Sequence, residues 1–317
     1  MAKQVLVVLA VVIVVAIITA VIAIWRNPVA LLYWKDRRAL ANAGFAKTQI
    51  ASPIGTQCVW EKGTGPTLIF LHGLADHAGS WAQVAPGFAA NYHVVIPDLA
   101  GHKDSEPTTG SLHMEQVLVG IDTVVSAKSN GAPVILVGNS LGAWAAMLYA
   151  HQHPERVARI VATGGGPLRG ERADLVGVPH TREDMQKVLD AVVDPGSPRA
   201  AGFIVDDLLR HAKNGPMSRF AASGAPELEN SLLEGRMNEL ATPVDMIWGE
   251  SDRLIPLTYA KRMQEQLPAS RLVTLPRCGH IPQQECPKAY SSALRQVLLQ
   301  APPQPASPQP PVAKERL

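Results

Sequence analysis

The sequence predicts an α/β protein: a mostly parallel β-sheet flanked by helices, with a helical insertion and one long apolar helix at the N-terminus. Three observations predict it. Short apolar runs alternate with segments of helical periodicity over roughly residues 52–299. The alternation breaks over 168–240, where no strand-like run occurs. Residues 134–137, Val-Ile-Leu-Val, run straight into Gly138-Asn139-Ser140-Leu141-Gly142, and a good helix pattern follows at once.

Composition bounds the rest. The chain has 317 residues and is 47% hydrophobic, enough for one sizeable core with a smaller appended unit. A formal net charge of +2 and the absence of a Lys/Arg run argue against nucleic acid as a partner. The three cysteines, Cys58, Cys278 and Cys286, are too few for a disulfide framework, and the odd count fits reduced thiols. Cys278 and Cys286 are the pair spaced to bridge an exposed loop in an oxidising compartment. No Cys/His cluster has zinc spacing, and no cofactor is implied.

Residues 5–25 are apolar except for Thr19. At about 1.5 Å per residue they match the roughly 30 Å hydrocarbon core of a bilayer. A signal peptide usually has an apolar region of only about 7–15 residues. This stretch is longer and ends in no clean A-x-A site, so 1–25 reads as an uncleaved single-pass anchor. Trp25, Tyr33 and Trp34 suit the interface belt. Arg26, Lys35, Arg37 and Arg38 after the span bias the body toward the cytoplasm. Lipid-active enzymes with such anchors often face outward, so the side stays open.

Residues 26–50 read as a basic, helical connector, and the globular body begins near 51. Strands follow at 56–62 and 67–71, the second ending at His72-Gly73-Leu74. Ser80 is placed to cap a helix. The next strand, 93–96, ends at Pro97-Asp98-Leu99-Ala100-Gly101-His102, and 114–127 is helical. After the Ser140 turn and its helix comes a strand at 157–163. Segments 51–167 and 241–300 thus form the core. Residues 168–240 form a helical cap, with amphipathic pieces around Met185, Leu189, Ile204 and Leu208 set apart by Gly and Pro. Alternation resumes with a strand at 243–249, a helix at 258–266, a strand at 271–275 and a helix at 287–299. The Pro-rich tail, 301–317, is expected to be disordered.

Serine is a poor nucleophile unless a base lies in hydrogen-bond reach and the base has an orienting partner. At Ser140 a very tight strand-to-helix turn can present the hydroxyl above the sheet, and a side chain at Gly138 or Gly142 would collide with the neighbouring strand or helix. Asp252 follows the 243–249 strand in Trp248-Gly249-Glu250-Ser251-Asp252. His280 follows the 271–275 strand in Cys278-Gly279-His280-Ile281-Pro282. All three emerge at the carboxyl edge of the sheet, where parallel sheets gather their catalytic groups.

The order Ser…Asp…His resembles the α/β-hydrolase fold family over roughly residues 52–299. The matching pieces are His72-Gly73, Pro97-Asp98 with Gly101, the Gly138–Gly142 turn, Gly249 with Asp252, and Gly279-His280 with Pro282 and Glu285. The resemblance implies an eight-stranded, mostly parallel sheet. It also implies Ser140 as nucleophile, His280 as general base and acid, Asp252 as its orienter, and an oxyanion hole from the N–H groups of Leu74 and Leu141. Asp245 lies inside a strand and Glu250 falls two residues early, so both fit the acid's place less well. His72 reads as structural, His77, His102 and His113 as solvated or loop-packing, and Glu285 and Pro287 as the start of the last helix. Lys103 stands where the family usually has glycine, which implies a stiffer or more exposed loop.

The serine sets aside the branches with an aspartate nucleophile, haloalkane dehalogenases and epoxide hydrolases, and the insertion has no tyrosine to hold an epoxide oxygen. The leading expectation is carboxylic ester hydrolysis through an acyl-enzyme. A lid and an anchor together suggest a lipase-type enzyme acting on an apolar acyl substrate at a lipid surface. The alternatives are a carbon–carbon bond hydrolase of diketones, whose members usually carry a tryptophan where Ile281 stands, and an inactive membrane-anchored binding protein.

Overall fold

The computed structural model describes residues 2–170, 177–224, 229–267 and 269–304. The tail from 305, most of the stretch expected to be disordered, lies outside the described residues. The chain opens with α1 (Ala2–Arg26), whose most apolar 18-residue window has a mean hydropathy of 3.5 and is wholly unburied. It is long and apolar enough to cross a membrane. Helix α2 (Pro28–Asn42) follows after Asn27, with Pro28 in the first turn, where a missing N–H costs nothing.

The stretch 26–50, read from sequence as a connector, holds more than a helix. After α2 comes strand β1 (Ala46–Ile50), paired antiparallel with β2 (Gln57–Lys62) over five residue pairs. β1 escapes a pattern reading because it is an edge strand: Ala-Lys-Thr-Gln-Ile has no apolar alternation, and an edge tolerates the lysine.

The remaining strands are β3 (Thr67–Leu71), β4 (His93–Pro97), β5 (Val134–Asn139), β6 (Val157–Thr163), β7 (Val244–Gly249) and β8 (Ser270–Leu275). The eight form one sheet in the order β1-β2-β4-β3-β5-β6-β7-β8. β3 to β8 are mutually parallel, and β2 alone runs against its neighbours. The mostly parallel α/β-hydrolase sheet expected from the sequence is the one found.

Both faces are covered, which is why the central strands are apolar without alternation. Ile69, Leu71 and Leu136 face one core, with residues of α3 (Met114–Lys128) and α4 (Leu141–Gln152). Leu68, Phe70 and Val137 face the other, with Trp81, Phe88 and Leu40 of α2. Between β3 and β4 the helix expected at Ser80 is only a 3₁₀ turn, Ala78–Trp81. Its cap is His77, whose Nδ1 accepts the Gly79 N–H at 3.1 Å, and Ser80 lies inside the turn. Pro86 and Gly87 in the next short turn, Ala85–Phe88, keep this segment from propagating as an α-helix.

Among the described residues of 168–240 there is no strand. Helices α5 (Arg182–Val192), α6 (Gly202–Asn214) and α7 (Pro216–Ala221) occupy the insertion. α5 starts at a capping box, Thr181 with Asp184. The fold ends with α8 (Leu257–Gln266), the single turn α9 (Pro282–Glu285) and α10 (Pro287–Leu299).

Candidate active site

β5 ends at Asn139, and Ser140 takes φ +54°, ψ −116°, a left-handed φ that a non-glycine residue adopts only under constraint. The constraint is visible. Ser140 N–H donates to Thr163 O on β6 at 2.8 Å, and Ser140 O accepts the N–H groups of Ala143 and Trp144. The flanking glycines are required sterically. A Cβ at Gly138 would lie 2.5 Å from Ala143 N, and one at Gly142 would lie 2.4 Å from Leu71 O of β3. The Ser140 hydroxyl has no protein partner among the described residues, and the residue is half-buried.

His280 lies beyond β8, buried, with Nδ1 2.8 Å from Asp252 Oδ2. The other Asp252 oxygen accepts the N–H groups of Leu254 (3.0 Å) and Ile255 (2.8 Å). A carboxylate satisfied in this way fixes the proton on Nδ1 and leaves Nε2 as the acceptor. The rival acids are engaged elsewhere. Asp245 sits between Arg159 and Arg271, and Glu250 accepts from the Thr274 hydroxyl. Gly164 and Gly165, just after β6, touch both partners. A Cβ on Gly164 would lie 2.9 Å from His280 Nδ1, and one on Gly165 2.8 Å from Ser140 Cα. No hydrogen bond joins the Ser140 hydroxyl to the His280 ring.

Gly73 packs on the serine, where an added Cβ would stand 3.2 Å from Ser140 Cβ. Its carbonyl accepts the Asp76 N–H at 3.3 Å, closing a turn over Gly73-Leu74-Ala75-Asp76. The N–H of Leu74, inside this turn, and that of Leu141, the first residue of α4, have no protein acceptor among the described residues. Two buried histidines brace the turn. His72 Nδ1–H donates to Gly73 O (2.8 Å) while Nε2 accepts Leu99 N–H (2.9 Å). His102 Nδ1–H donates to Ala100 O (3.0 Å) while Nε2 accepts Ala75 N–H (3.2 Å). Burial holds the His72 pKa well below the usual imidazole range and pushes His102 down to about 4, so both are neutral donor–acceptor struts. His77 and His102 are therefore buried loop braces rather than solvated side chains. Lys103, exposed at φ +48°, adopts the left-handed backbone for which a glycine would be favoured.

Sequence reasoning missed several supports of the site. Asn139 donates from Nδ2 to His280 O (2.9 Å) and accepts from Gln283 Nε2 (3.1 Å). Glu285, expected only to start a helix, accepts the Gly279 N–H (2.6 Å), the Asp194 N–H (2.7 Å) and the Ser197 hydroxyl. The end of α5 reaches the same loops: His280 N–H donates to Val192 O (2.6 Å), and Arg253 N–H to Ala191 O (3.0 Å). Cys278 and Cys286 are joined as a disulfide that brackets His280. Two signals were available, the spacing of Cys278 to Cys286 and that of Gly279-His280 to Glu285. The remaining partners lie far apart in sequence.

Cys58, Asp98 and Asp104 cluster within 4.8 Å. The two carboxylates already face Arg37 and Lys47, so the cluster is an ion-pair network.

A doubly covered parallel sheet with a serine on a strained strand-to-helix turn at its carboxyl edge defines the hydrolase class of this architecture. The chain belongs to the alpha/beta hydrolase family, whose profile matches residues 68–293. It is 28% identical over 248 residues to the pimeloyl-[acyl-carrier protein] methyl ester esterase of Nitrosomonas europaea, spanning 73% of this chain and 94% of that one. It is 31% identical over 252 residues to a 2-hydroxy-6-oxononadienedioate/2-hydroxy-6-oxononatrienedioate hydrolase of Paraburkholderia phymatum, spanning 72% and 85%. Among solved structures, a membrane phospholipase A superposes with a TM-score of 0.71 at 24% identity, over 92% of this chain and 97% of that one.

Proposed function

We propose that this chain is a serine hydrolase that cleaves carboxylic esters through an acyl-enzyme. The observation that carries the reading is the Asp252–His280 hydrogen bond at the sheet edge where the strained Ser140 turn emerges. Ser140 Oγ attacks the ester carbonyl as its proton passes to His280 Nε2, and Asp252 stabilises the imidazolium. The carbonyl oxygen, now negative, takes the N–H groups of Leu74 and Leu141. Collapse of the tetrahedral species breaks the C–O bond, and His280 returns the proton to the departing alcohol. Water, deprotonated by His280, then releases the acid and restores Ser140. Serine-to-base contacts of this kind commonly tighten only once substrate is bound.

An ester substrate is supported by the esterase relative and by Ile281, which stands where the carbon–carbon hydrolases that this chain resembles usually carry tryptophan. The relative from Paraburkholderia phymatum keeps carbon–carbon cleavage as the second reading. Helix α1 serves as a membrane anchor, and the exposed Leu31, Leu32 and Trp34 of α2 continue its apolar surface. That placement favours an apolar acyl chain delivered from lipid. The Cys278–Cys286 bridge supports a body on the oxidising side of the membrane, against the charge bias of the anchor's flanks.

The test is hydrolysis of p-nitrophenyl esters from acetyl to palmitoyl by the full chain in detergent micelles, beside Ser140→Ala. Turnover that depends on Ser140 and peaks on medium or long chains is expected. Turnover of ring-cleavage diketones but not of esters would overturn the ester reading.

A further inference from the structure

Tyr33 reaches the candidate oxyanion turn from outside the region matched by the family profile. Its hydroxyl donates to Ala75 O at 3.0 Å. Ala75 holds φ +61°, a left-handed conformation that a non-glycine residue adopts only under constraint. The residue is gripped at both ends, its N–H on His102 and its carbonyl on Tyr33. Leu74 and Ala75 are the two central residues of the turn, so the grip on Ala75 holds the turn whose Gly73–Leu74 peptide, braced at its carbonyl by His72, carries the Leu74 N–H. The Tyr33 ring is itself fixed, 4.2 Å between centroids from His77 and with Lys103 Nζ 4.7 Å over it. Burial and nearby acids raise the phenol above its ordinary pKa, so it remains a donor at every physiological pH.

Helix α2, which carries Tyr33, is tied at its start to the lid. Val29 N–H donates to the buried Asp207 of α6 at 3.0 Å, and Arg210 holds the other Asp207 oxygen at 2.9 Å. Trp25, at the end of α1, stacks on Phe203 of α6 at 5.6 Å. One helix thus runs from the apolar N-terminal segment, past the lid, to the turn beside Ser140.

We propose that Tyr33 is a positioning residue for the Leu74 N–H, and that Asp207 sets its position by capping α2. The proposal rests on the assignment of Ser140 and Leu74 above. The mechanical consequence is that the docking of α2 on the lid is felt at the oxyanion turn.

The experiment uses the full chain in detergent micelles. Tyr33→Phe keeps the ring and removes the donor. Its kcat on a p-nitrophenyl ester should fall about tenfold with KM within about twofold. Affinity for an alkyl trifluoromethyl ketone, whose hemiketal oxygen mimics the oxyanion, should weaken by the same factor. Asp207→Ala should lower kcat in the same direction and add nothing further in the Tyr33→Phe background. Unchanged kcat in Tyr33→Phe, a loss of kcat with unchanged ketone affinity, or fully additive losses in the double variant would each overturn the proposal. Fluorophosphonate labelling of Ser140 in the unsubstituted chain separates the two failures. A labelled enzyme that ignores Tyr33→Phe defeats this proposal alone, whereas an unlabelled one defeats the Ser140 reading, and the proposal falls with it.

Discussion

The side chain of Asn139 holds the backbone of His280: its Nδ2–H donates to the His280 carbonyl at 2.9 Å. The residue just before the candidate nucleophile therefore sets the place of the candidate base. Asn139→Leu keeps the branched outline and removes both hydrogen-bonding atoms. It leaves a buried His280 carbonyl and Gln283 amide without these partners, at a cost of about 1–3 kcal/mol. The expected result is a lower urea midpoint together with a kcat reduced at least about tenfold, from misplacement of the ring. Unchanged kcat at reduced stability would show that His280 keeps its place without Asn139.

Glu285 joins the loop of the candidate base to the helical insertion. One oxygen takes the Gly279 N–H and the other takes the Asp194 N–H and the Ser197 hydroxyl. Glu285→Ala should raise amide hydrogen exchange at both Gly279 and Asp194, and lower kcat. Glu285→Gln retains one acceptor oxygen and should lie between that variant and the unsubstituted chain. Exchange that rises at Gly279 alone would mean that the end in the insertion is held by other contacts.

The Cys278–Cys286 bridge closes a loop of sequence separation 8 around His280. The entropy of closing so short a loop in the unfolded chain is worth about 2.5 kcal/mol. The paired Cys278→Ala, Cys286→Ala variant should lose stability of that order in equilibrium denaturation. Dithiothreitol should reproduce the loss in the unsubstituted chain and leave the variant unaffected.

Two groups at the candidate oxyanion turn, the half-buried Asp76 within it and the buried His102 that braces it, give opposite pH signatures. His102 is pushed from 6.5 down to about 4 by burial, so unfolding takes up a proton in that window. Its stabilisation is complete above pH 6.5 and is lost as the pH falls toward 4, at up to about 1.4 kcal/mol per pH unit. Asp76 is pushed from 3.8 up to about 7, again by burial, so its contribution is complete below pH 3.8 and is lost as the pH rises through 7. His102→Gln, which keeps an acceptor for Ala75, should flatten the acid side of a stability–pH curve. Asp76→Asn should remove a fall in stability as the pH rises from 4 to 7. Melting temperatures measured across pH 4–8 would decide both, and parallel curves for variant and parent would refute the assignment.

What could be read from the sequence follows from locality. The Ser140 turn is visible because strand, glycine pair and helix occupy one short stretch, and each glycine answers to a contact made within or beside it. The central strands are visible because burial on both faces makes them continuously apolar. The apolar N-terminal helix is visible from length and hydropathy alone. Asp252 and His280 could be nominated because each follows a legible strand, the buried β7 and the edge strand β8.

Strand β1 could not be read, because an edge strand exposes its side chains and carries no pattern. The segment at 78–81 reads as a helix start because Ser80 has a capping side chain, whereas the cap used is the His77 ring and the element is a 3₁₀ turn. The supports of the site were silent for a different reason. Tyr33 meets Ala75, Asp194 meets Glu285 and Asn139 meets His280 across separations of 42, 91 and 141 residues. Local propensity and periodicity record only what a residue needs from its near neighbours. The sequence by itself determined the sheet, the serine turn and the residue types available at its edge. Only the tertiary structure decided which distant donor met which carbonyl, because those pairings depend on how whole elements pack.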